Sequence, residues 1–552
     1  MRALDHVTIL GQIIATLTSK EKVDVSVKGS RFNVDLKFRF LMPLAVTLVA
    51  SVLGPSVVRA QSWTALNHQP CSPGQPCFFP GTALLLTDGT VMAQDNGGSN
   101  WYRLMPDNTG SYVNGTWSQA ASLPAGYGPL YFASAVLPDG RLIIEGGEYN
   151  FDVPSAVTTQ GAIYDPIANS WTSVARLLQG GCCISDASSV VLADGRFMLA
   201  NSGTSQEAIL DPATLTWTPT GTGKAVINNE EGWTLLPDKQ VLTVDTRNGS
   251  NSEIYVPSSG EWHSAGNTTV QLSEGFEIGP AVLRPDGTVF ATGASGHNAI
   301  YDSSSGSWSI GPDFPVLPAG QLAIADGPAA LLLNGNVLCD TSVSGNLGTY
   351  FFEFDGSNLN QVPGPPNAPS DQSYYGRMLV LPTGQILFTD GSSDVEIYTP
   401  AGNYDPDWAP KIHSAPRTVV PGGSYVISGR RFNGLSQGAA YGDDAQSATN
   451  YPLIRITNLG TGHVFYSRSH DHSSMAVDFG GHVSTHFDVP ADQELGPSSL
   501  VIVANGIPSA PEAIVVERCQ FADLKSGRRD ADHREWVKHC PHEAVVPTGN
   551  DE

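Results

Sequence analysis

Ala133-Ser134-Ala135-Val136-Leu137-Pro138-Asp139-Gly140-Arg141-Leu142-Ile143-Ile144 reads as two short apolar strands around a tight turn. Asp-Gly between apolar runs is a hairpin signal, because glycine accepts the positive φ that such a turn demands. The phrase recurs along the chain. Its turn glycines or their equivalents are Gly89, Gly140, Gly195, Lys239, Gly287, Gly335 and Gly384, at intervals of 51, 55, 44, 48, 48 and 49 residues. Self-similarity at such a period marks a stacked or radial array of supersecondary units.

A second phrase follows the first in most units. Ala162-Ile163-Tyr164-Asp165-Pro166 leads to Trp171, Ala208-Ile209-Leu210-Asp211-Pro212 to Trp217, Glu253-Ile254-Tyr255 to Trp262, and Ala299-Ile300-Tyr301-Asp302 to Trp308. Each unit therefore reads as an inner and an outer hairpin, four strands in all. One unit cannot bury both of its faces, whereas a closed ring of units can. The expected fold is all-β, with a seven-bladed propeller over residues 61–408. The last unit ends at Glu396-Ile397-Tyr398-Thr399-Pro400 and lacks a Trp-Thr strand, since Trp408 sits in the linker-like Asp405-Pro406-Asp407-Trp408-Ala409-Pro410. Ser62-Trp63-Thr64 supplies the missing phrase, so an N-terminal strand is expected to close the ring. The alternative is that Trp63 packs near the signal junction and closes nothing.

After the linker the rhythm changes. Ser424–Gly429, Leu453–Thr457, His463–Tyr466 and Ser499–Ala504 are short strand-like runs between turn residues, which suits an immunoglobulin-like sandwich over 409–517. Residues 518–552 form a charged tail carrying His533, His539 and His542, a composition that is usually solvated.

The 552 residues carry 53 acids against 29 bases, a formal charge of −24, which argues against a nucleic-acid partner and fits a soluble protein or one with acidic sites for cations. Lys37 and Arg39 precede an apolar run from Phe40 to Leu53, and Val58-Arg59-Ala60 offers small residues for cleavage before Gln61. Residues 1–60 thus read as an N-terminal extension and secretory signal, too short to span a membrane comfortably. An anchored N-terminus is the alternative. Among seven cysteines, Cys71 with Cys77 and Cys519 with Cys540 are candidate pairs, Cys182 and Cys183 are adjacent, and Cys339 reads as a buried thiol. No CxxC occurs, so a thiolate zinc site is not expected.

A kelch-type ring followed by an immunoglobulin-like (E-set) domain resembles galactose oxidase and its radical-copper-oxidase relatives, over roughly residues 62–515. In that family two tyrosines and two histidines hold copper, one tyrosine is cross-linked to a cysteine, and one histidine arrives on a loop of the C-terminal domain. The resemblance implies Tyr131 as the cross-linked tyrosine, Tyr374 as the second, His472 as the C-terminal ligand and Tyr149 as the stacking aromatic. The match is partial. Tyr375 stands where a histidine should follow Tyr374, and Phe79 stands where the cysteine should be, with Cys77 two residues away. His470 could replace the lost ligand only with a different geometry. Copper favours imidazole, and the ring's own histidines are His68, His263 and His297, of which His263 follows the outer-strand Trp262 and His297 lies just before an outer strand. Copper is therefore disfavoured as a cofactor.

Aligning the units on their turns shows a different constellation. At or beside the slot of Tyr131 stand Asp186, Glu230 with Glu231, Glu277 and Asp326. Ring symmetry would carry these carboxylates toward one axis. Their repulsion needs a cation, a base or a proton, and Ca²⁺ suits such oxygens better than copper does. The plainer reading is that each acid caps backbone amides at its own strand entry. Three functions compete: a secreted monomer binding a polar small molecule or glycan at its funnel through these acids and Tyr375; an alcohol or sugar oxidase with modified copper ligation; and a structural or adhesive extracellular protein. No stable membrane span is expected after signal removal.

Overall fold

The structure is a computed structural model, and it describes residues 61–153, 157–175, 184–185, 187–442, 447–478 and 480–518. The expectations placed on 1–60, Cys182, Cys183, Asp186, Cys519 and the 519–552 tail lie outside the described residues.

The fold is all-β, in a propeller arrangement. Among the described residues there are six separate four-stranded antiparallel sheets: five are each built from the two hairpins of one sequence unit, and the sixth joins three strands of the last unit to one from the N-terminus. In the unit that contains the opening motif, Ala133–Val136, Leu142–Glu145, Gly161–Asp165 and Ser170–Ser173 pair in that order. The unit after Asp326 makes the same meander from Ala329–Leu331, Val337–Val343, Thr349–Phe354 and Leu359–Val362, inside a larger sheet of seven strands.

Burial follows position in the sheet. The two inner strands of the opening unit are buried throughout, because neighbouring sheets cover both faces. The outer strand Ser170–Ser173 keeps only Trp171 half-buried. Trp171 donates its indole N–H to Ala121 O (2.9 Å) of the preceding unit, and Trp217 donates to Ala175 O (3.0 Å). Trp63 makes the same tie to Pro363 O (2.6 Å). Its strand, Ser62–Ala65, pairs antiparallel with Glu396–Thr399, so the N-terminal strand closes the last unit. Cys71 and Cys77 form a disulfide just after it.

The turns gather at one end of the ring. Gly140 has φ +83°, and Lys239, which replaces glycine, is held in the same left-handed region at φ +74°. Against this end sits the C-terminal region, a nine-stranded sheet whose own core contains Ile427, Ile454, Phe487, Leu500 and Ile502. A side chain at Gly89 would collide with the Tyr466 ring. The Met475 N–H donates to Ala193 O (3.0 Å). One excursion leaves this region and runs down the ring's axis. Ala439–Ala440 pairs with Ala329–Leu331, Gln437 Oε1 accepts from the Leu235 N–H (2.8 Å), and Gly442 ends against Asp326 and Gly232.

Candidate functional site

The first strand of each unit runs from the slot toward the turn, so the slot residues lie at the end of the ring away from the C-terminal sheet. Three non-glycine slot residues are left-handed: Tyr131 (φ +51°), Glu230 (φ +58°) and Asp326 (φ +44°). Such backbone costs about 1–3 kcal/mol per residue and persists where the surroundings over-determine it.

Glu230, Glu277 and Asp326 come together there. Each offers one carboxylate oxygen within 4.8 Å of the others, and all three residues are half-buried. Asn229 Nδ2 donates to Glu230 Oε1 (2.7 Å), and Arg247 in turn donates to Asn229 Oδ1. The next residue, Glu231, is fully buried and points to a different partner. Lys224 Nζ contacts Glu231 (3.1 Å), Asp245 (3.2 Å) and Glu253 (2.6 Å) with no side-chain exposure of its own. Burial opposes the Lys224 charge, but the three acids outweigh it and raise its pKa. Burial also raises Glu231 to about 8 despite Lys224. This buried ion cluster fixes the segment that presents Glu230.

A second group adjoins the acids through residues 441–442. A Cβ on Gly442 would lie 2.9 Å from Asp326 Oδ1, so the chain passes directly over that carboxylate. Tyr441, just before, lays its ring on the Arg377 guanidinium at 3.7 Å and donates its hydroxyl to Tyr374 O (2.9 Å). Arg377 also lies 5.4 Å from the Tyr131 ring and donates to the Tyr374 and Gly376 carbonyls (both 2.8 Å). Tyr149 meets Tyr131 edge-on at 6.0 Å, and the rings of Tyr374 and Tyr375 are 4.3 Å apart. Burial first, and Tyr375 beside it second, push the Tyr374 phenol up to about 12. Tyr375 is 41% exposed, so this group opens to solvent.

The histidines are placed elsewhere. His472 is buried at the turn end. Its N–H donates to Pro138 O (3.1 Å), and its Nδ1 shares a hydrogen bond with Thr485 Oγ1 (2.8 Å). Pro138 is seven residues of extended chain from Tyr131, about 20 Å at ~3.3 Å per residue. Burial lowers the His472 pKa to about 3, so it packs as a neutral ring. His470 has one ring nitrogen on Asp471 (2.8 Å) and the other on Asp488 (3.2 Å). His263 lies on the outer strand Glu261–Asn267 and His297 in the loop before Ala299–Asp302, both with half-exposed side chains. Cys77 is committed to its disulfide, and Phe79 is 51% exposed. The radical-copper ligand set does not fit these residues. Tyr131, Tyr149, Tyr374 and Tyr375 form one group and Glu230, Glu277 and Asp326 another, while His470 and His472 belong to neither.

Two participants escape a sequence reading based on the slot. Tyr441 arrives on the axial excursion, whose pairing is non-local. Arg377 carries a readable signal: it opens a strand, Arg377–Val380, that is buried throughout, and a charge on such a strand requires a partner.

Three carboxylates at this spacing form an acceptor-only, oxygen-rich surface suited to a hard cation or to several hydroxyl donors. The neighbouring tyrosines and Arg377 supply donors and aromatic faces.

No protein-family model and no curated protein matches the chain. Among solved structures, it is similar to a fungal alcohol oxidase of the AA5 family in complex with copper, at 13% identity over 83% of this chain and 99% of that one, with a TM-score of 0.46. It is also similar to the extracellular domain of a putative hybrid two-component system from B. thetaiotaomicron, at 10% identity over 84% and 59% of the respective chains, TM-score 0.45. A third similarity is to the WD40 propeller domain of Doa1, at 10% identity over 62% and 97%, TM-score 0.38. At such low identity and overlap no chemistry is transferred from these proteins to this chain.

Proposed function

We propose that the chain is an exported, seven-bladed kelch-type propeller with an immunoglobulin-like C-terminal domain, and that its mouth binds a polar, hydroxyl-rich ligand such as a glycan with the help of a hard cation such as Ca²⁺. The observation that carries this is the convergence of Glu230, Glu277 and Asp326 beside the solvent-open tyrosine group. A divalent ion would neutralise carboxylates that otherwise repel, and would leave coordination positions open to ligand hydroxyls. On this reading the meander from Ala329 to Val362, within the larger sheet, counts as a blade beside the six separate sheets. Export is supported by the 37–60 segment and by the Cys71–Cys77 disulfide, a bond that persists in oxidising compartments.

The test is a glycan array probed with and without Ca²⁺, using wild type and Glu230→Gln/Asp326→Asn. Ca²⁺-dependent glycan binding lost in the variant supports the reading. Absence of any glycan binding favours a structural or adhesive role. Peroxide release from alcohols by the copper-loaded protein would favour the oxidase reading instead.

A further inference from the structure

A second group of acids lies at the seam where the ring closes. Asp340 comes from Val337–Val343, Asp371 from the link into the last unit, Asp390 and Asp394 from the turn after Ile386–Thr389, and Glu396 from the strand that pairs with the N-terminal strand. Glu396 stands opposite Ala65 in that pairing. Asp340 and Glu396 are both fully buried, and none of their four carboxylate oxygens meets a hydrogen-bond donor. Asp371 Oδ2 is likewise buried without a donor.

The groups around them are known. Asn367 Nδ2 donates to Asp390 Oδ2, and the Ser392 N–H to Asp390 Oδ1 (2.8 Å). Gln69, just beyond the closing strand, donates to Asp394 Oδ1 (3.1 Å) and to Val395 O (2.8 Å), and its own Oε1 accepts from the Val395 N–H (2.8 Å). Arg377, the basic residue nearest in sequence, gives its guanidinium to the Tyr374 and Gly376 carbonyls and the Tyr441 ring. Asp390 acts on Asp371, and Asp394 acts on Glu396. Among the described residues, no Lys, Arg or His forms an ion pair with Asp340, Asp371 or Glu396.

A buried carboxylate with neither donor nor cation is costly, and the same carboxyl as a neutral acid becomes a donor to its neighbour. We propose that these five carboxyls form a proton-held clasp on the ring's closing seam: Asp371 and Glu396, as neutral acids, donate O–H to Asp390 and Asp394, and loss of those protons releases the N-terminal strand. The mechanism is acid–base only, and each proton leaves to solvent. Burial raises Asp371 to about 7 and Glu396 to about 9, with neighbouring acids adding to both. Folded-state values above the unfolded ones mean that the contribution is complete below the usual carboxylate range and is lost as pH rises from there to about 7 for Asp371 and about 9 for Glu396.

Hydrogen exchange tests this on the intact protein. Protection of peptides covering 62–65 and 396–399, corrected for intrinsic exchange, should fall by up to about tenfold per pH unit for each proton released between about pH 5 and about pH 9, and level off above. Protection of Leu453–Asn458, in the C-terminal sheet, which carries none of the five acids, should stay flat. Asp371→Asn/Glu396→Gln should flatten the response of the seam. If that variant does not fold, the wild-type contrast between the two regions decides. A uniform fall in both regions, a fall that persists in the variant, or full recovery of protection with millimolar Ca²⁺ at about pH 9 would each overturn the proton clasp, the last in favour of a cation.

Discussion

Removal of the Lys224 ammonium examines what positions the acidic mouth. Lys224→Met keeps the length of the side chain but leaves Glu231, Asp245 and Glu253 without their shared base. All three contacts are 3.2 Å or shorter, and all the side chains are essentially inaccessible. Deleting one partner of such a buried arrangement costs about 3–5 kcal/mol, because the remaining charges stay buried. The acids can escape part of that cost by binding protons. Glu231, near 8 with Lys224 present, is largely neutral at about pH 7.5 in both proteins, so the uptake falls on Glu253, whose carboxyl burial raises and the ammonium otherwise lowers. The stability deficit should therefore shrink as pH falls, by up to ~1.4 kcal/mol per pH unit for each proton taken up. Urea unfolding at about pH 7.5 and about pH 5 measures this. Trp262 fluorescence is a local probe, since Lys224 Nζ lies 5.3 Å from its ring. A loss below about 1 kcal/mol at both pH values would refute the reasoning, because the acids would then be neutral without help from Lys224.

Trp63→Ala should cost about 3 kcal/mol, the sum of one hydrogen bond and its aromatic contacts with Tyr398 at 4.9 Å, Phe351 at 5.1 Å and Phe388 at 5.6 Å. Trp63→Phe should cost about 1 kcal/mol, and differential scanning calorimetry separates the two. His472 has a folded pKa lowered to about 3 by burial, so the unfolded chain takes up the proton first as pH falls below the usual histidine range. Wild type should therefore lose up to ~1.4 kcal/mol per pH unit relative to His472→Gln in acid. Denaturation curves with equal pH slopes for the two proteins would mean that His472 is not held neutral.

The propeller repeat is legible because its signals are local. A turn residue every 44 to 55 positions and a tryptophan in the outer strand locate the sheets, and the absence of that tryptophan after Pro400 points to Ser62-Trp63-Thr64. Even Lys239, lacking glycine's freedom, holds the turn at φ +74°. The aromatic half of the mouth was visible in part. Tyr131 and Tyr375 stand at corresponding positions of their units, with Tyr374 beside the latter, but Tyr441 meets them only through the non-local axial excursion and Arg377 through the same contact. Ser436-Gln437-Gly438-Ala439-Ala440 has no pattern that announces a strand inside another domain's ring. His472 shows the opposite failure. Its position near a C-terminal loop suggested a place among the tyrosines, yet its contacts with Pro138 and Thr485 set it at the other end of the ring.

Calorimetric titration of the purified protein with Ca²⁺ tests the central claim most directly. One ion should bind per chain, and a hundredfold excess over Kd should add about 2.7 kcal/mol of stability by mass action. Both effects should vanish in Glu230→Gln/Asp326→Asn. Absence of binding by any hard divalent ion, or undiminished binding in that variant, would contradict a cation-assisted ligand site at Glu230, Glu277 and Asp326.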